Sequence, residues 1–112
     1  THHEHKIDAP SGFAMDLSRM LTENKTYSRN QVEVESIANP RGGELDGVSI
    51  HSVRLPGRSA HHEIIFGAAG QTLSLKHDTL DRECYMPGVI QTVNYVCENK
   101  TFVVGLENIL GI

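Results

Sequence analysis

Three imidazoles and an ammonium, from His2, His3, His5 and Lys6, fall within five consecutive residues. Ala9-Pro10-Ser11-Gly12, a turn-forming run, follows at once. Imidazole changes charge near neutral pH and so suits proton transfer. A lysine beside it can donate a proton or hold a carboxylate. Ser11 is of a helix-capping type, and the amides that follow such a cap point out of the helix start, where anionic groups bind. A proton carrier, a cation and an anion cradle therefore sit in one short stretch, which is the composition of a site rather than of a core.

Other uses of the same residues carry less weight. A histidine-rich start also fits a tag remnant, but tags are unbroken His runs and Glu4 and Lys6 interrupt this one. Zinc sites use four ligands, often Cys and His in paired spacings. Cys84 and Cys97 are thirteen positions apart and form no C-x-x-C, so no metal is expected. Neither cysteine has the basic neighbours that lower a thiol pKa, and both read as inert. His51, His61, His62 and His77 lie in or beside strand candidates and read as hydrogen-bonded structural residues. Arg54 and Arg82 have the bidentate geometry that holds carboxylates. Ion pairs with Glu63 or Asp81 account for them equally well.

The elements that must position the cluster can be read from periodicity. Ser11 caps a helix running from Gly12 to about Glu23. Phe13, Leu17 and Met20 or Leu21 make its apolar face, with Met15 off the stripe. Val32 and Val34 alternate weakly in a polar stretch, and Asn39-Pro40-Arg41-Gly42-Gly43 is a turn cluster. Three strands follow, Val48 to Leu55, His62 to Phe66 and Thr72 to His77. Pro56-Gly57 and Gly67-Ala68-Ala69-Gly70 separate them. Links this short predict antiparallel partners. Leu73, Leu75 and His77 share one face of the third strand. From Pro87 the pattern is helical again, with Val89, Ile90, Val93 and Val96 or Cys97 as its stripe. The tail around Phe102, Val103, Val104, Leu106, Ile109 and Leu110 is apolar enough to need a cover. The expected fold is α+β, with an open mixed, largely antiparallel sheet of about four strands. Helices cover one sheet face. The other, with Ile50 or Ile64 exposed according to register, serves oligomerisation.

Length and composition bound the function. A chain of 112 residues makes one domain with a core of its own. The formal net charge of −4, with ten scattered Lys and Arg, argues against nucleic acid as a partner. No apolar run approaches the roughly 20 residues that cross a bilayer, so no membrane partner is expected. No secretory signal is visible. Two distant cysteines suit free thiols in a reducing, cytoplasmic setting. The ten glycines form neither G-x-G-x-x-G nor a P-loop, so no nucleotide fingerprint is present.

The run His2-His3-x-x-Lys6-x-Asp8-Ala9-Pro10-Ser11-Gly12 resembles the signature of the dihydrodipicolinate reductases (4-hydroxy-tetrahydrodipicolinate reductases). Further similar blocks follow in order: Gly47-Val48-x-Ile50-His51-Ser52-Val53-Arg54, then His62-Glu63-Ile64-x-Phe66-Gly67. Leu75-x-His77 with Arg82, Tyr85 and Gly88 comes next, and Gly105-Leu106 closes the series. The resemblance covers nearly the whole chain and implies a C-terminal substrate-binding and oligomerisation domain over 1–81. A helix and tail over 82–112 would pack on a nucleotide-binding domain that lies outside this chain. It implies an NADPH- or NADH-dependent reductase of the lysine and diaminopimelate pathway, converting 4-hydroxy-tetrahydrodipicolinate to tetrahydrodipicolinate. The nucleotide would be held outside this chain. The implied catalytic residues are His2, as proton donor or acceptor, and Lys6, as a second proton donor. The implied substrate-binding residues are His3, Gly12 and Phe13, the last two through helix N-terminal amides. The family usually has Thr after that glycine, so Phe13 keeps the amide and loses a hydroxyl donor. The implied partners are a small dicarboxylate substrate and copies of the same chain, as a tetramer. A stand-alone oligomerisation module, or a lyase or hydrolase using His and Lys, are the rival readings. The first does not need the cluster, and the second lacks a nucleophile in an activating arrangement.

Overall fold

The computed structural model describes residues 1–31 and 33–111. Val32, half of the weak valine alternation, and Ile112 lie outside the described residues. The chain divides into two compact units, Thr1–Asp78 and Thr79–Ile112.

In the first unit Ser11 starts helix α1 (Gly12–Asn24) by accepting a hydrogen bond from the Ala14 amide at 3.3 Å. This is the expected cap, and it ties α1 directly to the loop that follows Lys6. The face that α1 turns inward differs from the expected stripe. Phe13 is 57% and Met20 60% exposed, whereas Ala14, Met15, Leu17 and Leu21 are half-buried and Ser18 is buried. The inward face is shifted by about one position, because small Ala14 and Ser18 complete the helical row with Leu17 and Leu21.

Four strands follow as two hairpins, β1 (Gly43–Leu45) with β2 (Val48–Ile50), and β3 (Ala60–Ala68) with β4 (Gln71–Thr79). β1 and β2 pair antiparallel, with Gly43 opposite Ile50, Glu44 opposite Ser49 and Leu45 opposite Val48. Their link is Asp46-Gly47, at φ 50° and 81°. Two successive positive φ values make the tight turn whose twist suits a hairpin. A Cβ at Gly47 would also strike the Tyr27 carbonyl, so this position requires glycine. The dipeptide adds β1, a strand absent from the expected set, while β2 ends at Ile50, well before the expected Leu55.

The link between β3 and β4 is Ala69-Gly70, with Gly70 at φ 71°. Residues Thr1 to His3 extend this hairpin sideways. His2 forms a parallel bridge to Arg54 and an antiparallel bridge to Ala60. The His2 amide donates to the Val53 carbonyl at 3.0 Å, and the His61 amide donates to the Thr1 carbonyl at 2.8 Å. The expected mixed sheet is thus a hairpin flanked by short bridged segments, and His2 lies in its interior. Along β3, Ala60, His62, Ile64 and Phe66 are half-buried, whereas Glu63 and Ile65 are exposed. Ile50 and Ile64 are therefore not the open apolar residues. Ile65, Leu73 and Leu75 are.

In the second unit a 3-10 turn (Arg82–Tyr85) leads into α2 (Met86–Glu98), and α3 (Glu107–Leu110) follows. Asp81 accepts from the Glu83 amide at 2.8 Å and so caps the turn, which replaces the ion pair considered for it with Arg82. Pro87 sits in the first turn of α2, where no intrahelical N–H is needed. The expected stripe of Val89, Ile90, Val93 and Val96 is exposed, and Gly88, Thr92 and Tyr95 are the half-buried positions. No helix of the described residues is long and apolar enough to cross a membrane.

Candidate functional site

His2 is buried because its strand runs between two others, and its side chain inherits that setting. Burial pushes its pKa down to about 4. The N-terminal ammonium, His62, Arg54 and Lys6 act in the same direction. The imidazole is therefore neutral at pH 7 and is equipped to accept a proton or hydrogen bond. Its ring packs edge-on against His62 at 5.1 Å between centroids. His62 in turn packs against Phe13 at 4.5 Å. One imidazole thus touches both the strand that carries His2 and the N-terminus of α1. Burial also lowers the His62 pKa, followed by the N-terminal ammonium, His77 and His61. Its Nε2 is buried without a partner among the described residues.

After His3 the chain turns, with the Lys6 amide donating to the His3 carbonyl at 3.2 Å. The turn leaves His3 and His5 exposed. The Lys6 ammonium lies 2.5 Å from Asp8 Oδ1. That hydrogen bond is the main reason that the Asp8 carboxyl stays below the usual carboxylate range. Arg54 forms no ion pair with Glu63 or with any other carboxylate of the described residues. It donates instead to the carbonyls of Lys6 at 3.3 Å, Val53 at 2.8 Å and Asp8.

At the start of α1 the Ala14 amide is satisfied by Ser11. The amides of Gly12 and Phe13 have no partner among the described residues, as the first turn of a helix requires. A Cβ added at Gly12 would meet nothing within 4 Å. The space in front of these amides is open, and the helix dipole favours an anion there. The Phe13 side chain is committed to His62 and offers no donor.

His2 and Ser11 also line a cleft of about 930 Å³, walled by Leu17 and Leu21 of α1 and by Ile64 and Phe66 of β3. His3, Lys6, Gly12 and Phe13 do not line it. The structure therefore joins His2 to the start of α1 through His62, and leaves His3 and Lys6 on the neighbouring turn. His62 joins the candidate site by these ring contacts, which its strand position alone does not reveal. The available signal is that it is one of two adjacent histidines, His61 and His62, near the start of β3. His61 also lines the cleft, but both its ring nitrogens are engaged, Nδ1 2.6 Å from Asp78 Oδ1 and Nε2 accepting from the Ser59 amide.

No three His, Cys, Asp or Glu of the described residues come together as a metal set. The residues present do not fit a pyridine nucleotide either. The one helix start beside the site offers a single glycine, Gly12, and no glycine-rich turn to cradle a pyrophosphate.

The family model for the C-terminus of dihydrodipicolinate reductase matches residues 1–110. A 4-hydroxy-tetrahydrodipicolinate reductase from Dehalococcoides mccartyi is 45% identical over 109 residues, which span 97% of this chain and 41% of that protein. One from Syntrophomonas wolfei is 49% identical over 111 residues, spanning 97% of this chain and 42% of that protein. Among solved structures, dipicolinate-bound dihydrodipicolinate reductase from Paenisporosarcina sp. TG-14 superposes with a TM-score of 0.82 at 44% identity. That match covers 96% of this chain and 41% of the other. The chain thus spans about two fifths of the length of the relatives it matches, and by sequence and by fold it belongs to the dihydrodipicolinate reductase C-terminal family.

Proposed function

We propose that this chain is the substrate-binding and oligomerisation part of a pyridine-nucleotide-dependent 4-hydroxy-tetrahydrodipicolinate reductase in lysine and diaminopimelate biosynthesis. The observation that carries the reading is the contact of His62 with both His2 and Phe13, which links the buried imidazole of His2 to the start of α1. An imidazole, a nearby ammonium and an anion-binding helix start suit a small ring that carries carboxylates and must gain a proton. The relative solved with dipicolinate bound supports a dicarboxylate ligand of this kind.

In this proposal the Gly12 and Phe13 amides take one carboxylate, and His3 contacts the substrate from the exposed turn. Lys6 is the proton donor, since an ammonium carries the proton to give. His2, neutral at working pH, accepts a hydrogen bond from the substrate, or a proton from the substrate carbon or hydroxyl it faces as water is lost. NADPH or NADH is the proposed cofactor, and no residue of this chain is assigned to it. The segment 82–112, with the open α2 stripe, packs on the nucleotide-binding part of the longer protein. The setting is the cytoplasm, where the pathway's reduced nucleotides are found, and the assembly is a tetramer.

Calorimetric titration of the chain with pyridine-2,6-dicarboxylate, an aromatic mimic of the substrate, tests the reading. Saturable binding below millimolar is expected. Absence of binding at millimolar ligand removes the half-site from the account.

A further inference from the structure

Arg54 is half-buried beside His2, on the segment that pairs in parallel with it. All of its contacts are backbone carbonyls. Nε donates to the Lys6 carbonyl at 3.3 Å, one Nη to the Val53 carbonyl at 2.8 Å, and the other Nη to the Asp8 carbonyl. Two of the three acceptors belong to the turn that presents Lys6, and the third belongs to the strand beside His2. A planar fork holds its carbonyls in fixed directions, whereas the three rotatable donors of an ammonium fix none.

From this geometry we infer that Arg54 is a positioning residue for Lys6, stapling the Lys6–Asp8 turn to the strand that neighbours His2. The inference rests on the proposed role of Lys6 in the reductase reaction. Lys6 reaches its task from an exposed turn, and a flexible four-carbon side chain on an unanchored turn would sample many placements. Anchoring both carbonyls on either side of Ile7, whose side chain is fully exposed, fixes the backbone from which Lys6 projects. Packing does not do so. Misplacing a catalytic group by about 1 Å costs on the order of 100-fold in rate, which sets the scale of the effect.

The test is a double-mutant cycle on kcat in the full-length reductase that carries this segment. Lys6→Ala is expected to lower kcat about 100-fold, as loss of a general acid does. Arg54→Ala is expected to lower kcat about 10- to 100-fold with KM changed far less. The double variant should fall within about 3-fold of Lys6→Ala alone, because Arg54 has nothing left to position. Losses that multiply would overturn the inference, as would an Arg54→Ala enzyme with unchanged kcat. Arg54→Lys carries the same cycle if the alanine variant does not fold, and its kcat should stay well below that of the parent. Full activity in Arg54→Lys also overturns the inference, since charge without the fork would then suffice. A Lys6→Ala enzyme with normal kcat and KM sinks the functional reading itself. An impaired Lys6→Ala enzyme with multiplying losses sinks only the role of Arg54.

Discussion

Asp8 Oδ1 lies 2.5 Å from Lys6 Nζ, so the ammonium on the turn next to the candidate site is engaged by a carboxylate two residues along its own loop. Both groups are partly exposed, so water screens the pair and it is weak. It is weak enough for a substrate carboxylate to displace Asp8 and strong enough to keep the side chain out of bulk solvent until then. Asp8→Asn removes the competing charge. The dicarboxylate mimic is then expected to bind modestly tighter, since a weak competitor for the ammonium is gone. Weaker binding by calorimetry would show that Asp8 helps to hold the ligand rather than competing with it.

The start of α1 supports a paired prediction. Gly12→Ala adds a methyl group into space that no protein atom occupies within 4 Å. Thermal unfolding should be unchanged or slightly improved, since alanine restricts the unfolded chain. Dicarboxylate affinity should fall at least about tenfold, because the methyl stands where the carboxylate must approach the amides. Phe13→Thr returns a hydroxyl donor, worth about 1.5–3 kcal/mol against a charged acceptor, at the loss of the Phe13–His62 contact. A net gain in affinity is expected. Unaltered affinity in both variants would place the ligand away from this helix end.

How much of this was legible in the residues differs from one element to the next. The Ser11 cap and the run of α1 were, because a capping hydroxyl acts on its own neighbours. The inward face of α1 was not, since a buried serine at position 18 and an exposed phenylalanine at position 13 both run against hydropathy. Asp46-Gly47 lies outside the expected turns, and the hairpin it makes brings in β1. The role of Arg54 left no trace in the pattern, for its partners are main-chain carbonyls that every residue has. His62 was hidden for a related reason: only the tertiary approach of α1 to β3 distinguishes it from any other strand histidine. The cluster of His2, His3 and Lys6 was legible because its residues are adjacent in sequence, and adjacency also explains why two of them share one turn.

His2 should titrate far below an ordinary histidine. Burial is the first cause of its depressed pKa of about 4, ahead of the neighbouring positive groups. An unfolded histidine takes up its proton near 6.5. Between those values the unfolded chain binds a proton that the folded chain refuses. The stabilising contribution of neutral His2 is therefore complete above about pH 6.5 and is lost as pH falls toward 4. In a chain extended before Thr1, the ammonium becomes a peptide N–H and one cause disappears, but burial remains. An NMR titration of the His2 Cε1 proton checks this, and a midpoint near 6.5 would remove the buried-imidazole account.

The chain alone should show no reductase turnover with NADH or NADPH. In the proposed reaction the hydride comes from a nucleotide for which these residues form no cradle, and proton donors alone cannot replace it. Within the full-length reductase, His2→Ala should lower kcat about 100-fold, the usual scale for an acid–base residue. His3→Ala should chiefly raise KM, since its exposed side chain is assigned to binding. Steady-state kinetics of the two variants separate the roles, and turnover by the chain alone would overturn the division of labour.

The β3–β4 hairpin should draw copies of the chain together. Ile65, Leu73 and Leu75 are 64%, 57% and 52% exposed. Leu73 and Leu75 are two residues apart and share one face of β4, and no helix of the first unit covers them. Among the described residues no apolar side chain is fully buried, so the first unit has not completed a core by itself. Packing one such sheet on another buries apolar faces at a spacing of about 10 Å, and closed symmetry limits the assembly. Light scattering at tens of micromolar should therefore report a mass well above the 12.4 kDa of one chain, with a tetramer expected. Leu73→Glu with Leu75→Glu should return it to the monomer, because two carboxylates cannot be buried in an apolar contact without partners. A dimer in the parent chain would keep the sheet contact and remove only the second interface. A clean monomer would overturn the predicted self-association.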